Sequence, residues 1–310
     1  MISEKIIIGE NTRYPLNGLL TLPEAAERPL PAVVFVHGSG SSNMDEKVGK
    51  LAPFRDLAEG LAARGIASVR YDKRSYAHGL RMLRDKSAPL TVRQETVEDA
   101  VLAAELLRRD GRIDSSRIFI VGHSMGAMLA PRIHLEGGAF AGLVLMAGTP
   151  RRLEEVLMEQ SNEMLAEMPA ILRKLAEGSV RKLGRNFEGM YDLSDEEAQS
   201  KKMGGGTTLY YFKEMGQPTV ADHLARVEVP IMVMQGEMDV QVKAGVDFAL
   251  YRELLGDRDN VTFHLYPGLN HAFVPALSGK ISDAKREFSR ERHIPAEVLD
   301  DIAVWMRGIG

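Results

Sequence analysis

Apolar residues recur along this chain in two alternating rhythms. Short runs rich in Val, Ile, Leu and Phe are each followed by a longer stretch whose apolar positions fall three or four apart. The first rhythm is that of strands and the second that of amphipathic helices. Residues 4–9 and 18–22 read as an opening strand pair joined by the polar stretch Asn11 to Asn17. Residues 31–37 run Pro-Ala-Val-Val-Phe-Val-His without polar alternation, as a strand covered on both faces does, and end in Gly38-Ser39-Gly40. A helix is expected over 51–64 from Leu51, Phe54, Leu57, Leu61 and Ala62, stopped by Gly65 and followed by a strand over 66–71. The same alternation gives a helix at 94–109, a strand at 117–122, a helix at 125–135 and a strand at 141–146.

The rhythm then lapses. Residues 151–216 hold no strand-like run and read as helices rich in Leu, Met, Glu and Lys, with breaks expected at Gly178 and at Gly204-Gly205-Gly206. Alternation resumes with a strand at 229–235, a helix at 243–255, a strand at 261–266 and a helix at 297–308, and the charged stretch 283–293 reads as a solvated helical face. The pattern is that of an α/β protein with a mostly parallel twisted sheet flanked by helices. Residues 1–150 and 217–310 form the core, and 151–216 are expected to form a helical lid inserted into it.

Composition narrows the function. With 45% hydrophobic and 26% charged residues over 310 positions, the chain has the make-up of a folded domain rather than a disordered one. Its 39 basic and 43 acidic residues leave a net charge of −4, which argues against nucleic acid as a partner. The absence of cysteine removes a disulfide framework, a cysteine-ligated zinc site and a cysteine nucleophile together. Residues 1–8 show no basic segment leading into an apolar one, and no apolar run approaches the roughly 20 residues of a membrane span. A cytoplasmic location without a membrane span is therefore expected.

The chemistry gathers around Gly122-His123-Ser124-Met125-Gly126, set where a strand runs straight into a helix. A sharp turn there would raise the Ser124 hydroxyl above the carboxyl edge of the sheet at a helix N-terminus, with glycines where side chains would strike backbone. Serine is a weak nucleophile alone, so a base and an orienting carboxylate must come from elsewhere. His271 follows the last strand in Gly268-Leu269-Asn270-His271, and Asp239 follows the strand before it in Gly236-Glu237-Met238-Asp239. Both loops leave the edge that carries Ser124. Glu237 competes with Asp239 but sits in the tight turn itself. His123, His134, His223 and His264 read as structural. Backbone N–H groups of Ser39 and Met125 are the candidates for holding an oxyanion. Gly38-Ser39-Gly40-Ser41-Ser42-Asn43 lacks the lysine and third glycine of nucleotide-binding loops.

These pieces, with Tyr71-Asp72-Lys73-Arg74, resemble the α/β-hydrolase superfamily in order and over nearly the whole chain outside the insertion. Within it the chain is most similar to the bacterial branch of dienelactone hydrolases, cinnamoyl and feruloyl esterases and acyl-CoA thioesterases. Ser124 departs from the aspartate nucleophile of dehalogenases and the cysteine of dienelactone hydrolases proper. Met125 stands where proline-specific peptidases usually carry Trp. The resemblance suggests that Asp72 and Arg74 support the loop after the first central strand, and that 151–216 is the lid.

A serine carboxylesterase follows, with a Ser124-His271-Asp239 triad, an acyl-enzyme, no metal and no organic cofactor. Its partner would be a small-molecule ester with a small to medium, partly apolar acyl group; oligomeric state, a homodimer included, stays open. Met158, Met164, Tyr210 and Tyr211 are the lid residues expected to meet substrate, and Gly204-Gly205-Gly206 the hinge. A thioesterase or acyltransferase would use the same triad, with Arg151, Arg152, Arg173 and Lys174 as a basic entrance for a CoA tail. A serine peptidase with Glu237 as amine-binding acid, or a non-catalytic ligand binder, are the remaining alternatives.

Overall fold

The computed structural model describes residues 1–24, 29–85, 90–203 and 206–309. Strands β1 (Ile2–Ile8), β2 (Leu16–Leu22) and β3 (Leu30–Val36) come first, then helix α1 (Pro53–Ala62), β4 (Ala67–Tyr71), α2 (Arg74–Arg84), α3 (Glu98–Arg109) and β5 (Ile113–His123). Next are α4 (Met125–Ile133), β6 (Leu143–Met146) and the helices α5 (Leu153–Glu167), α6 (Ala170–Phe187), α7 (Asp195–Ser200), α8 (Leu209–Gly216) and α9 (Val220–Leu224). The chain closes with β7 (Ile231–Gly236), α10 (Ala249–Leu255), β8 (Val261–Tyr266), α11 (Ala284–Glu287) and α12 (Ala296–Arg307).

The strands form one eight-stranded sheet in the order β1-β2-β4-β3-β5-β6-β7-β8. β1 runs antiparallel to β2, and β2 to β4, while β3 through β8 pair in parallel. Both faces of the central strands are covered, so successive residues enter different cores. Val34, Val36, Ile120 and Leu145 pack with Ala103, Leu107 and Leu129 on one face. Val33, Phe35, Val121 and Val144 pack with Phe54, Leu61, Val298 and Ile302 on the other. The unbroken apolar run at 31–37 is the imprint of that double burial.

Three features differ from the sequence expectation. Helix α2 carries no inward apolar stripe; Leu80 and Leu83 are exposed and Arg74 is its one buried residue, so periodicity had nothing to register. Gly178 does not break α6, where it faces open space; an isolated glycine weakens a helix by about 1 kcal/mol relative to alanine without ending it. In the charged stretch 283–293, Glu287 is buried rather than solvated. No helix among the described residues is long and apolar enough to cross a membrane.

Candidate active site

β5 ends at His123 and α4 starts at Met125, so Ser124 must reverse the chain within one residue. It does so at φ 54° and ψ −118°, a left-handed conformation that costs a non-glycine residue about 1–3 kcal/mol. The Ser124 N–H donates to the Met146 carbonyl at 2.8 Å, tying the turn to the end of β6. The flanking glycines are required sterically: a Cβ at Gly122 would strike the Gly126 carbonyl, and one at Gly126 would strike the Val36 carbonyl. Gly38, at the end of β3, approaches so closely that its Cβ would lie 3.1 Å from Ser124 Cβ.

His271 and Asp239 meet because the loops after β7 and β8 pack backbone to backbone; a Cβ at Gly236 would lie 2.5 Å from the Leu269 carbonyl. His271 Nδ1 is 2.7 Å from Asp239 Oδ2. The buried Asp239 carboxylate also accepts from Gln235 Nε2 at 2.8 Å and from the N–H groups of Gln241 and Val242 at 2.8 and 3.0 Å. Glu237 is exposed, whereas the buried Asp239 is the acid paired with His271. Asn270 shapes the histidine loop: its Oδ1 accepts from Ala272 and Val274 N–H, and its Nδ2 donates to buried Glu287 at 2.8 Å. His271 is brought against the serine turn through His123, whose ring centroid is 4.8 Å from that of His271. Among the described residues, Ser124 Oγ and His271 Nε2 make no hydrogen bond to each other or to another group. Such contacts are commonly open until substrate is bound.

The Ser39 and Met125 N–H groups also lack protein acceptors among the described residues, Met125 because it begins α4. Lys73 explains how the Ser39 loop is held. Its Nζ donates to the carbonyls of Gly38 and Gly40 at 2.9 and 3.0 Å, one residue on either side of Ser39. The ammonium is buried, 3.6 Å from Glu95, which in turn accepts the Tyr211 hydroxyl at 2.6 Å. Burial lowers the Lys73 pKa, against the opposing pull of Glu95 and Glu46. The support expected of Asp72 and Arg74 is thus shared differently. Asp72 holds the loop at Met44 N–H, 2.9 Å away, whereas Arg74 pairs with Asp99 and Glu98 on α3 and does not touch the loop. Lys73 is a strand-end lysine between two charged neighbours, and only the fold reveals that it points inward. Lys73→Met should lower stability by about 3–5 kcal/mol, the cost of stranding a buried charge, measured as a shift in the urea unfolding midpoint.

Three cavities meet Ser124, His271 or the two candidate N–H donors. A narrow cleft of about 30 Å³ touches Ser124 itself, with Ser39, Met125, Ala147 and Val242 in its wall. A chamber of about 590 Å³ lies on the Ser39 and Met125 side and is lined in part by Ser41, Ser75, Glu95 and Tyr211. A second chamber of about 420 Å³ lies beside His271 and is walled mainly by Met164, Leu165, Met168, Val240 and Ile281. Leu157 is common to all three. Of the lid residues expected at substrate, Met164 and Tyr211 line chambers and Met158 and Tyr210 do not. Each of the latter stands one residue, about 100° of helix, from a lining neighbour. Met158 packs on Gly184 of α6, and Tyr210 lies near Asp195 and Glu214. Ile171, Leu172 and Leu175 of α6 face solvent. Gly204 and Gly205 of the expected hinge lie outside the described residues. The basic entrance is largely engaged elsewhere: Arg151 pairs with Asp247 and Glu159, and Arg152 stacks on Tyr191. Among the described residues no cluster of three or more His, Asp or Glu side chains could hold a metal ion.

A mostly parallel eight-stranded sheet with a serine on the strained β5–α4 turn defines an α/β-hydrolase. Residues 27–275 match the hydrolase family described as serine aminopeptidase, S33, and the chain belongs to that family. Esterase EstD of Thermotoga maritima is 33% identical over 291 residues, covering 94% of this chain and 65% of that protein, so the chain spans less than two thirds of its curated relative. Among solved structures, a Pyrococcus furiosus esterase superposes with a TM-score of 0.59 at 16% identity, over 100% of this chain and 92% of the other. Est1E from Butyrivibrio proteoclasticus gives 0.57 at 12% identity over 98% and 99%. A proline iminopeptidase from Mycobacterium smegmatis gives 0.59 at 17% over 99% and 98%. At these identities the solved structures speak for the fold.

Proposed function

We propose that the protein is a serine carboxylesterase in which Ser124 attacks the ester carbonyl, His271 takes and returns the proton, and Asp239 fixes the imidazole. The observation that carries this reading is the strained Ser124 turn beside the His271–Asp239 pair at 2.7 Å. The likeness to Esterase EstD favours an ester over an amide. Attack on the carbonyl places negative charge on its oxygen, within reach of the Ser39 and Met125 N–H groups, and an acyl-enzyme forms as the alcohol departs. Water activated by His271 then releases the acid.

His271 must protonate the departing oxygen, so the alcohol lies on the His271 side, in the apolar methionine-lined chamber. The acyl group then extends toward Ser39 and Met125. Helices of 151–216 act as the lid over both chambers, with Met164 on one side and Tyr211 on the other. The acyl chamber carries Ser41, Ser75 and the Glu95 carboxylate beyond a narrow cleft at the serine. A long alkyl chain would have to pass that cleft and lie against the Ser41 hydroxyl and the Glu95 carboxylate, whose polarity it cannot match.

Across p-nitrophenyl esters from acetate to laurate, kcat/KM should peak between acetate and hexanoate and fall by about tenfold or more at laurate, one factor of ten being about 1.4 kcal/mol. Steady-state hydrolysis rates measure this. A folded protein inert toward every ester but active on aminoacyl p-nitroanilides would replace the esterase reading with a peptidase.

A further inference from the structure

Behind the serine lies a second histidine that the mechanism above leaves unused. His123 precedes the nucleophile, is buried, and has an acceptor at each ring nitrogen. Its Nε2 is 2.8 Å from the His271 carbonyl, and its Nδ1 is 2.9 Å from Glu46 Oε2. The other oxygen of Glu46 accepts the Gly38 N–H at 2.7 Å. One carboxylate and one imidazole therefore join the oxyanion loop, the nucleophile turn and the loop bearing the base.

We propose that His123 is held as an imidazolium between Glu46 and the His271 carbonyl, and serves as a positioning residue that keeps those three segments in register. The proposal rests on reading Ser124 and His271 as the reacting groups. A neutral imidazole has one N–H, so it would leave a lone pair facing either the carbonyl or the carboxylate. Nδ1 and Glu46 Oε2 are closed off from solvent, and neither has another hydrogen-bond partner, so no water or side chain relieves that repulsion. They lie 2.9 Å apart without the alignment of a hydrogen bond, so the contact is attractive only where the ring carries charge. With two ring protons, one serves the His271 carbonyl and the other replaces the repulsion at Glu46 with charge attraction.

The surrounding charges agree. Burial works against charge on His123, but Glu46, the His271 carbonyl and Asp239 outweigh it and raise its pKa. Burial likewise works against the Glu46 carboxylate, but His123, His37 and the Gly38 N–H hold its pKa down. Lys73, from the end of β4, also faces Glu46. Glu46 itself sits at φ 50°, the left-handed region, a strain that persists only where surrounding structure dictates it. The segments joined are those whose separation sets the distance between nucleophile, base and oxyanion donors, where an error of about 1 Å can cost roughly a hundredfold in rate.

The pH dependence follows in sign. A histidine pKa raised above 6.5 stabilises the fold fully below that value, and the contribution is lost as pH climbs through the folded pKa. Glu46, lowered from 4.5, contributes above that value and loses its share as pH falls through its folded pKa.

The test is nitrogen-15 NMR of histidine-labelled, substrate-free protein at pH 7.5, with His123 assigned by its disappearance in His123→Gln. The expected spectrum shows protons on both ring nitrogens of His123; a single tautomer, with the proton on Glu46 or absent, overturns the proposal. Glu46→Gln keeps an acceptor for Gly38 N–H while removing the charge. It should leave His123 singly protonated and lower kcat roughly ten- to a hundredfold, with KM within about threefold. Unchanged kcat in folded Glu46→Gln would overturn the positioning role. The NMR result needs no substrate, so failure of the esterase reading shows separately, as inactivity of wild type.

Discussion

Ser124→Ala should abolish ester turnover, lowering kcat by roughly a millionfold, without weakening the fold. The loss is large because no other hydroxyl stands on the strained turn between β5 and α4. Stability is retained for a separate reason. Alanine and serine meet the same penalty at φ 54°, and the serine hydroxyl has no hydrogen-bond partner whose loss would be felt. The urea midpoint of the variant should match wild type, and p-nitrophenyl ester assays on both proteins give the rate ratio. Substantial residual turnover by Ser124→Ala would remove the serine from the chemistry.

Asp239→Asn should be next in severity, costing about ten-thousandfold in kcat. The carboxylate is surrounded by donors: Gln235 Nε2 and His271 Nδ1 at one oxygen, Gln241 and Val242 N–H at the other. An asparagine amide must place its NH2 against one of these sets. Facing Gln241 and Val242, it opposes two fixed backbone N–H groups. Facing His271, it forces the proton onto Nε2, where it blocks the nitrogen that must accept from Ser124. Glu237→Gln, two residues away and exposed, should change kcat less than about twofold, since surface substitutions seldom matter. Parallel kcat measurements on the two variants decide between the acids.

The same physics explains what the sequence disclosed. Central strands were legible because burial on both faces leaves an unbroken apolar run, as at Val33 to Val36. The Ser124 turn was legible because its steric demands fall on fixed neighbours, Gly122 and Gly126. Asp239 and His271 followed from lying after consecutive strands of one parallel sheet, whose carboxyl ends share an edge. Helix α2 was hidden because its apolar residues do not face a core. Lys73 and Glu46 were hidden for another reason. Both are charged residues near strand or loop ends, where solvent is the ordinary destination, and their inward aim depends on partners from distant segments: Gly38 and Glu95 for one, His123 for the other. Tyr211 and Tyr210 show the limit of adjacency, since on a helix neighbouring residues face different ways.

The central claim is that Ser124 is an activated nucleophile. The most direct measurement treats the folded protein with a p-nitrophenyl alkylphosphonate, which phosphonylates an activated serine as p-nitrophenol departs, and reads intact mass and peptide map. One phosphonyl group per chain is expected, on Ser124, appearing in step with loss of ester hydrolysis and absent from Ser124→Ala. A protein that hydrolyses esters yet remains unlabelled at Ser124, or carries the label on another residue, would contradict it.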